Sequence, residues 1–438
     1  MTAEWTNWSG NQRFTPAERA EPRDLEELRT FVADAARRGK IRAVGNGHSF
    51  NDLVATDGTL VSLAQMQGLV DADPASGLVK VHAGTSIYEL SRLLDGLGLA
   101  LPNLGDIDVQ AIAGAVATGT HGTGARYASV SAQVAAIEMV TASGDLVSID
   151  AADETALKAA RVSLGTLGIA SELTLQCVPA FTLDRLDLPS PLDETLAQFD
   201  ELADSHDHFE FYVFPYTDVV IQKRINRTDQ PPHPWSKRKR FLNDVAFENW
   251  TLAALVNAGK LMPRAIPALA RGVTKTFGKV HKVDKSHEIF STVRNVRFNE
   301  LEYAIPRKRV AAALTRILAA IEEHRWPVNF PIEVRVGRAD EDCLLATAAG
   351  RETGYISVHM YRGMEFEPYF RAVESIMNDY DGRPHWGKLH WQTAETLAPR
   401  YPGWDDFQAV RSRLDPGGVF SNRYTDRVLG PVVASPTS

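Results

Sequence analysis

Two glycine-rich stretches in the N-terminal third have the residue types that bind phosphate groups through the main chain. In "VGNGHSFND", residues 44–52, Gly45 and Gly47 flank Asn46, and His48 follows directly. A second run at 105–124 contains five glycines, three threonines and His121. Because glycine has no side chain, a ligand approaches such loops closely and meets many main-chain N–H groups. The predicted chemistry is binding of a pyrophosphate by main-chain amides and threonine hydroxyls, without a lysine.

The spacing of these glycines does not fit the common nucleotide motifs. A Rossmann dinucleotide fingerprint needs a preceding strand, a following helix and a third glycine. Here the helical pattern comes before the strand, residues 50–63 read as turn and strand, and the chain has no GxxxxGK[ST] motif. A third glycine-containing loop at 163–176 favours a large, extended dinucleotide over a mononucleotide. Plain tight turns with glycines at positive φ are the alternative.

The elements that must position these loops follow from hydrophobic spacing. Residues 21–39 and 86–98 have helical periodicity, and the second segment has Ser86 as a capping residue. Residues 41–45, 58–66 and 78–84 read as strands, and 134–149 as a hairpin that turns at 143–145. Beyond Pro179, strand-like runs occur at 209–216, 299–307, 331–337 and 354–363, with helical patterns at 250–269 and 309–324. We therefore predict an α+β protein with a domain boundary near residue 180.

Composition narrows the class of protein further. The chain has 438 residues and a net charge of −8, which argues against nucleic acid as a partner. The basic cluster "WSKRKR" at 235–240 is expected to be a solvated loop. Two distant cysteines, without a CxxC pair, predict neither a zinc site nor a disulfide, and no metal is expected. The sequence has no signal-peptide pattern and no apolar run of about 20 residues, so we expect a cytoplasmic protein without a membrane span.

Taken together, the motifs resemble a known family. "VGNGHSFND", "AGAVATGTHGTG" and "SLGTLGIAS" resemble the FAD-binding half of the vanillyl-alcohol-oxidase (PCMH) type flavoproteins. "FEFYVFPY", "VRFNELEYAIPR", "PIEVRV", "RPHWGK" and "LDPGGVFSN" resemble the aldonolactone oxidoreductase branch of that group. The resemblance implies three parts: an FAD-binding domain at 1–180, a substrate (cap) domain with an antiparallel sheet and flanking helices at 181–410, and a segment at 411–438 that docks on the FAD domain.

The resemblance implies that the cofactor is FAD and that His48 holds it through a covalent bond to the flavin 8α-methyl. An unprotonated imidazole nitrogen is a competent nucleophile for that attachment. Backbone contacts to the pyrophosphate are expected from the two glycine-rich loops, Gly114 permits close approach, and Ile169 meets the adenosine end. His121 is expected to pack structurally near the flavin. The implied cofactor-binding residues are Arg42, Val44, Gly45, Asn46, Gly47, His48, Ser49, Phe50, Gly105, Asp106, Gly114, Thr118, Gly119, Thr120, His121, Gly122 and Ile169.

The C-terminal half supplies the implied catalytic residues. Glu333 and Arg335 are two apart, which places both side chains on one face of a strand. The resemblance implies that this Glu orders substrate hydroxyls and that the Arg holds substrate and stabilises negative charge on the flavin. A purely structural ion pair is the alternative. Lys388 matches the family's active-site lysine. His359 is expected in the same area, and a structural strand histidine is its alternative.

Reactivity with oxygen is expected to depend on Gly105. The family links this position to oxygen access, and the lack of a Cβ favours an oxidase. Asp106 stands where a serine is more usual, so a carboxylate is expected near the flavin. Some relatives are dehydrogenases that use another acceptor, and both possibilities stay open.

The implied function is oxidation of an aldono-1,4-lactone at C2 to an ascorbate-type product, with hydride transfer to flavin N5. L-gulono-1,4-lactone is the first expected substrate, with L-galactono- and D-arabinono-1,4-lactone next. Electrons pass to oxygen or another acceptor. An alditol oxidase acting on xylitol or sorbitol is the nearest alternative, and a non-catalytic flavin-binding protein is a more distant one.

Overall fold

A computed structural model of the chain describes residues 2–236, 251–292, 294 and 296–433. Residues 237–240 of the basic cluster lie outside the described residues. The solvated loop predicted there therefore falls on residues that the structure does not describe. The longer described helices are Leu25–Ala36, Ile87–Gly96, Glu154–Arg161, Thr251–Leu261, Ile266–Thr274, Val310–His324, Glu367–Asn378 and Trp404–Leu414. The shorter described helices are Ile112–Ala117, Leu192–Ala197, Phe199–Ser205, Ser286–Phe290, Ala394–Leu397 and Arg423–Leu429.

The strands of the N-terminal part form small sheets. They are β1 Trp5–Thr6, β2 Arg13–Phe14, β3 Glu18–Ala20, β4 Ile41–Val44, β5 Thr59–Ser62, β6 Leu69–Asp73, β7 Leu78–His82, β8 Leu99–Ala100, β9 Val134–Val140, β10 Leu146–Ile149, β11 Ile169–Gln176 and β12 Val178–Pro179. β3, β5 and β4 pair in parallel, and an antiparallel sheet has the order β10-β9-β11-β7-β6. The predicted hairpin at 134–149 is confirmed as β9 and β10.

Sequence signals fix the ends of the N-terminal helices. Helix Leu25–Ala36 begins after Asp24, whose side chain accepts the Glu27 main-chain N–H at 2.9 Å. Such a cap satisfies one of the donors left unpaired in the first helical turn. Leu28 and Val32 on one face of this helix are buried in the core. Ser86 caps helix Ile87–Gly96 in the same way, as predicted.

The C-terminal part is built on one antiparallel sheet of eight strands. These are β13 Thr182–Pro191, β14 His208–Val213, β15 Val219–Thr228, β16 Val280–Lys285, β17 Phe298–Pro306, β18 Ile332–Gly337, β19 Thr353–Tyr361 and β20 Arg383–Pro384. Their order is β16-β13-β15-β14-β18-β19-β17-β20. The predicted antiparallel sheet with flanking helices is confirmed, and with it the α+β class.

Two predicted elements have different bounds in the structure. The strand expected at 209–216 ends at Val213, because Phe214 to Thr217 form a turn closed by a bond from the Thr217 N–H to the Phe214 carbonyl. The helical stretch expected at 250–269 is two helices, and the break between them contains Pro263. Proline has no N–H to donate within a helix, which accounts for the interruption.

The two faces of the large sheet have opposite character. In β18, Val334 and Val336 point to one face, whereas Glu333 and Arg335 point to the other, as the period of two requires. Helices Val310–His324 and Glu367–Asn378 contribute to the apolar core on the first face. Adjacent strands repeat this alternation, so the second face is a polar floor. Its members are Glu210, Tyr212, Glu300, Glu302, Glu333, Arg335, Tyr355, Ser357 and His359.

Residues near the C-terminus contribute to the N-terminal core as well. That core contains Phe407, Phe420 and Tyr424 beside Leu28 and Val32. The main-chain N–H of Ile41 donates to the Val419 carbonyl at 2.9 Å. These contacts accord with the predicted docking of the segment 411–438, of which residues 434–438 lie outside the described residues. The domain boundaries at 180 and 410 stay a prediction. Within the described ranges, no helix combines the length and apolarity that crossing a bilayer requires.

Candidate active site

Two large cavities meet at the loop that carries His48. The space between protein atoms is about 1230 Å³ in the first and about 1380 Å³ in the second, and both volumes include open solvent. His48, Ser49, Gln110 and Thr118 line both cavities. The two cavities therefore adjoin, and His48 lies where they do.

The first cavity is lined by the predicted main-chain loops. The predicted cofactor-binding residues that line it are Arg42, Val44, Gly45, Asn46, Gly47, His48, Ser49, Gly114, Thr118 and Ile169. A Cβ added to Gly114 would have nothing within 4 Å, so this glycine faces open space. Main-chain N–H groups beside a glycine that faces open space let a pyrophosphate approach the chain closely. An extended dinucleotide such as FAD fits this cavity.

Arg42 is buried behind the first cavity, where it joins several loops. Its guanidinium donates to the carbonyl oxygens of Leu53 at 3.0 Å, Leu164 at 2.7 Å and Gly165 at 2.9 Å, and also to that of Phe420. Burial lowers the pKa of Arg42 to about 10, which still leaves it charged at neutral pH. Arg42 thus fixes the walls of the cavity through its side chain.

His48 is placed as a neutral imidazole. Its ring stacks on Trp8 with a centroid distance of 5.6 Å. Burial, together with the positive charge of Lys388, lowers the pKa of His48 to about 4. At neutral pH the ring therefore has an unprotonated nitrogen, which is the form that attacks an electrophile.

The second cavity lies over the polar floor of the large sheet. The predicted residues that line it are His48, Ser49, Phe50, Gly105, Asp106, Thr118, Thr120, His121, Glu333, Arg335, His359 and Lys388. All four predicted catalytic residues are among them. Gly119 and Gly122 line neither cavity. Gly119 has a φ of +70°, which a glycine adopts easily, and a Cβ on Gly122 would lie 2.2 Å from the Leu104 carbonyl oxygen, so the first glycine serves the conformation of the loop and the second its packing.

Glu333 and Arg335 belong to a buried cluster of charges. Arg335 contacts Glu333 at 2.5 Å and Glu210 at 2.9 Å, and it also pairs with Asp106. The Tyr212 hydroxyl donates to Glu333 at 2.7 Å. Glu333 and Arg335 thus form an ion pair, and the same two side chains line the cavity, so their role in substrate binding stays a prediction.

The carboxylates of this cluster differ in proton affinity. Burial raises the pKa of Asp106, but the guanidinium groups of Arg335 and Arg294 bring it well below its usual range. Arg294 contacts Asp106 at 2.5 Å. Burial raises the pKa of Glu333 and, with the nearby negative charges, keeps it raised despite Arg335. Asp106 is thus a fixed anion, and Glu333 is the carboxyl that holds a proton more readily.

Lys388 is held on the other side of the cavity. Its ammonium pairs with the buried carboxylate of Glu300, which also accepts the Ser357 hydroxyl at 2.6 Å. His359 Nε2 lies 3.5 Å from Glu300. His359 Nδ1 lies 3.1 Å from the Pro331 carbonyl oxygen, and since that oxygen only accepts, Nδ1 bears the proton there.

His121 forms a second buried pair beneath the cavity. Its Nδ1 donates to the Gly122 carbonyl at 2.9 Å, and its Nε2 lies 2.6 Å from Glu302. Burial raises the pKa of Glu302, but His121 lowers it to about 2, so the Glu302 carboxylate is charged at neutral pH. His385 completes a group whose donor atoms lie within 4.8 Å of one another, a spacing that a metal ion also fits. Because the Glu302 carboxylate is paired with His121, we read the group as a hydrogen-bonded cluster; the expected lack of a metal stays a prediction.

Sequence reasoning missed Glu300, Glu302 and His385. The signal for the two glutamates is present in "FNELEYAIP", where carboxylates occupy alternate positions of an otherwise apolar strand. Charged residues are almost never buried without a partner, so this alternation marks a polar face that meets cations. His385 stands in "RPHWGK", three residues before Lys388.

Gly105 lines the second cavity but is not in open surroundings. A Cβ on it would lie 3.2 Å from the His121 carbonyl oxygen and 3.4 Å from Thr120 Cγ2. Space beside Gly105 is therefore limited by the 118–124 loop. The proposed link between this position and the electron acceptor stays a prediction.

Sequence comparisons show which known proteins the chain is similar to. A family model described as "D-arabinono-1,4-lactone oxidase" matches residues 173–428, and a model described as "FAD binding domain" matches 16–150. An L-gulono-1,4-lactone dehydrogenase of Mycobacterium tuberculosis is 47% identical over 432 residues, which covers 98% of this chain and 100% of the relative. An L-gulonolactone oxidase of Bos taurus is 32% identical, with 97% of each chain covered. An alditol oxidase of a Streptomyces species is 33% identical over 98% of this chain and 100% of its own.

Solved structures support the fold. A crystal structure of cholesterol oxidase from B. sterolicum superposes with a TM-score of 0.82, covering 98% of this chain and 96% of that one. The sequence identity is 19%, so the likeness concerns the fold alone.

Proposed function

The chain belongs to the D-arabinono-1,4-lactone oxidase family, and from this premise we propose that it oxidises an aldono-1,4-lactone at C2 with FAD as cofactor. L-gulono-1,4-lactone is the first proposed substrate. The observation that carries this proposal is that the two cavities adjoin at His48. A glycine-lined cavity that fits a dinucleotide lies next to a polar cavity lined by Glu333, Arg335, Lys388 and His359.

FAD, when bound, would accept a hydride from a substrate C–H bond and pass the two electrons to oxygen or another acceptor. The main-chain groups of residues 44–49 and the chain around Gly114 would hold the dinucleotide, since they line the first cavity. We further propose that His48 is its covalent attachment point. The support is the neutral imidazole at the junction of the two cavities.

The polar floor suits an uncharged polyhydroxy substrate. Glu333 accepts hydrogen bonds from hydroxyl groups, and Arg335 and Lys388 donate to hydroxyl or carbonyl oxygens. Tyr212 and Glu210 hold the Glu333–Arg335 pair in place, so little reorganisation is needed when substrate binds. The fixed anion Asp106 keeps the Arg335 guanidinium oriented.

Oxidation of the C2 hydroxyl releases one proton. His359 Nε2 is suited to take it, because the Pro331 carbonyl commits the other ring nitrogen to a proton of its own. The resulting 2-keto lactone tautomerises to an ascorbate-type ene-diol. A cytoplasmic location is also proposed, and the two buried cysteines, which are not joined in a disulfide, support it.

Substrate tests separate this proposal from its nearest rival. Purified protein is mixed anaerobically with L-gulono-, L-galactono- or D-arabinono-1,4-lactone, or with xylitol or sorbitol, and bleaching of the flavin band is followed. We expect bleaching by a lactone, and repetition with oxygen and with a dye acceptor identifies the oxidant. Turnover of xylitol without turnover of any lactone would make the protein an alditol oxidase, like the Streptomyces relative of that name. No bleaching by any of them would contradict an enzymatic role.

A further inference from the structure

Glu300 is a buried carboxylate whose two oxygens have different partners. Its side chain is 7% exposed. Oε1 accepts the Ser357 hydroxyl at 2.6 Å and lies 3.5 Å from His359 Nε2, whereas Oε2 pairs with the Lys388 ammonium. Two neighbours on β19 thus fix the carboxylate, and its second oxygen is left for the lysine.

The main chain brings Lys388 to this carboxylate. The N–H of Leu389 donates to the Glu300 carbonyl at 3.0 Å, and the N–H of His385 donates to the Glu302 carbonyl at 3.0 Å. The segment that carries Lys388 therefore runs alongside β17 in a defined register. The lysine side chain, 20% exposed, is directed to Glu300 and the cavity by this pairing.

Lys388 is partly buried, and its four-carbon side chain needs such a partner to keep the ammonium in one position. Lysine is a point charge with freely rotating bonds, so it loses side-chain entropy when it is fixed. Its other described neighbour is the Phe50 ring, whose centroid lies 5.1 Å from Nζ. Burial raises the pKa of Glu300, but the positive charge of Lys388 brings it well below its usual range, so the carboxylate is charged. The pair is the strongest restraint on Nζ that the described contacts provide.

We propose that Glu300 is a positioning residue that acts through Lys388, holding its ammonium where it donates to the lactone. This inference rests on the proposed function, since Lys388 is assigned there to substrate. Glu300 does not itself touch the reacting carbon in this scheme. Ser357 supports it by fixing the orientation of the carboxylate.

The first test measures Lys388 directly and needs no substrate. Reductive methylation of the folded holoenzyme is followed by mass spectrometry of the peptide that contains Lys388. We expect Glu300→Gln, which keeps the shape and removes the charge, to increase labelling of Lys388 several-fold. Glu300→Asp keeps the charge with a shorter reach and should give an intermediate rate. Glu374→Gln is the control, because Glu374 is a buried carboxylate paired with Tyr303, a residue of the apolar core.

The second test is a double-mutant cycle on kcat/KM for L-gulono-1,4-lactone. We expect Glu300→Gln to lower kcat/KM by about 10–100-fold, the scale of a misplaced substrate-binding group. In a Lys388→Met background the same change should have little further effect, because residues that act as a unit are not additive. Ser357→Ala should lower kcat/KM less, in the same direction.

Two results would overturn the inference. One is that Glu300→Gln lowers kcat/KM by the same factor in the Lys388→Met background as in the wild-type protein. The other is unchanged labelling of Lys388 in Glu300→Gln. If wild-type protein oxidises no lactone, the proposed function fails, and the labelling rate still decides whether Glu300 positions Lys388.

Discussion

The main-chain N–H of Phe50 donates to the carbonyl oxygen of Gly387 at 2.7 Å. This bond joins the loop that carries His48 to the segment that carries Lys388. The Asn51 side-chain amide strengthens the junction, donating to the carbonyls of Trp386 and Lys388 at 2.8 Å each. The proposed attachment residue and the proposed substrate lysine are thus positioned by one hydrogen-bonded unit.

His48→Ala should release the flavin. If the flavin is covalently attached, acid-precipitated wild-type protein stays yellow. The variant should release all of its flavin into the supernatant. His233→Ala, at an exposed histidine, is the control and should keep its colour. Flavin that washes out of the wild type would show that the His48 proposal is wrong.

Arg335→Met should destabilise the fold as well as abolish activity. It leaves the carboxylates of Asp106, Glu210 and Glu333 buried without their shared guanidinium, and removal of one partner from a buried ion pair costs about 3–5 kcal/mol. Urea unfolding measures the change in free energy. Arg371→Met breaks an exposed pair with Glu367 and should cost less than about 1 kcal/mol. A similarly small loss for Arg335→Met would mean that the cluster is not held by this residue.

His208 should make stability depend on pH. Its ring is buried against Tyr127, Nδ1 donates to the Thr123 carbonyl at 2.8 Å, and burial lowers its pKa to about 4. Between an unfolded value of about 6.5 and this folded value, the unfolded state binds more protons. The free energy of unfolding is therefore not reduced by this residue above pH 6.5. It falls as the pH drops from 6.5 towards 4, by about 1 kcal/mol per pH unit.

His208→Gln tests this dependence. The slope of the unfolding free energy against pH, measured by urea titration between pH 6.5 and 4.5, should be shallower in the variant. His233→Gln should leave the slope unchanged. Equal slopes in wild type and His208→Gln would contradict a neutral buried ring.

Gly105→Ala tests the link between this position and oxygen. A methyl group there meets the His121 carbonyl oxygen at 3.2 Å, so it narrows the space between the two loops. We expect slower reoxidation of the flavin by oxygen, with little change in the rate of anaerobic bleaching by a lactone. Stopped-flow measurement of the two half-reactions separates these effects. An unchanged oxygen rate would remove Gly105 from the choice between oxidase and dehydrogenase.

Much of this architecture could be predicted from local sequence. Asp24 and Ser86 mark helix starts, and the alternation in "PIEVRV" places Glu333 and Arg335 on one face, because caps and strand periodicity depend only on near neighbours. The partners of those residues could not be predicted in this way. Whether Glu300 meets Lys388 depends on the register of β17 with a segment far along the chain.

The same limit applies to the glycine-rich loops. Their sequence predicts which residues bind a ligand, and ten of the predicted residues line the first cavity. It does not reveal that Gly122 is needed for packing against Leu104, since that contact arises between two loops after folding. Local patterns predict the elements, and distant pairings complete the site.

The contacts of Arg42 have a consequence for the order of biosynthesis. Three of its carbonyl partners lie within the first 165 residues, and the fourth, on Phe420, is translated long after them. In a nascent chain, the Arg42 guanidinium therefore lacks one of its four carbonyl acceptors until Phe420 has been translated. Stable loading of the dinucleotide is accordingly expected after translation of that segment, not during synthesis of the N-terminal part.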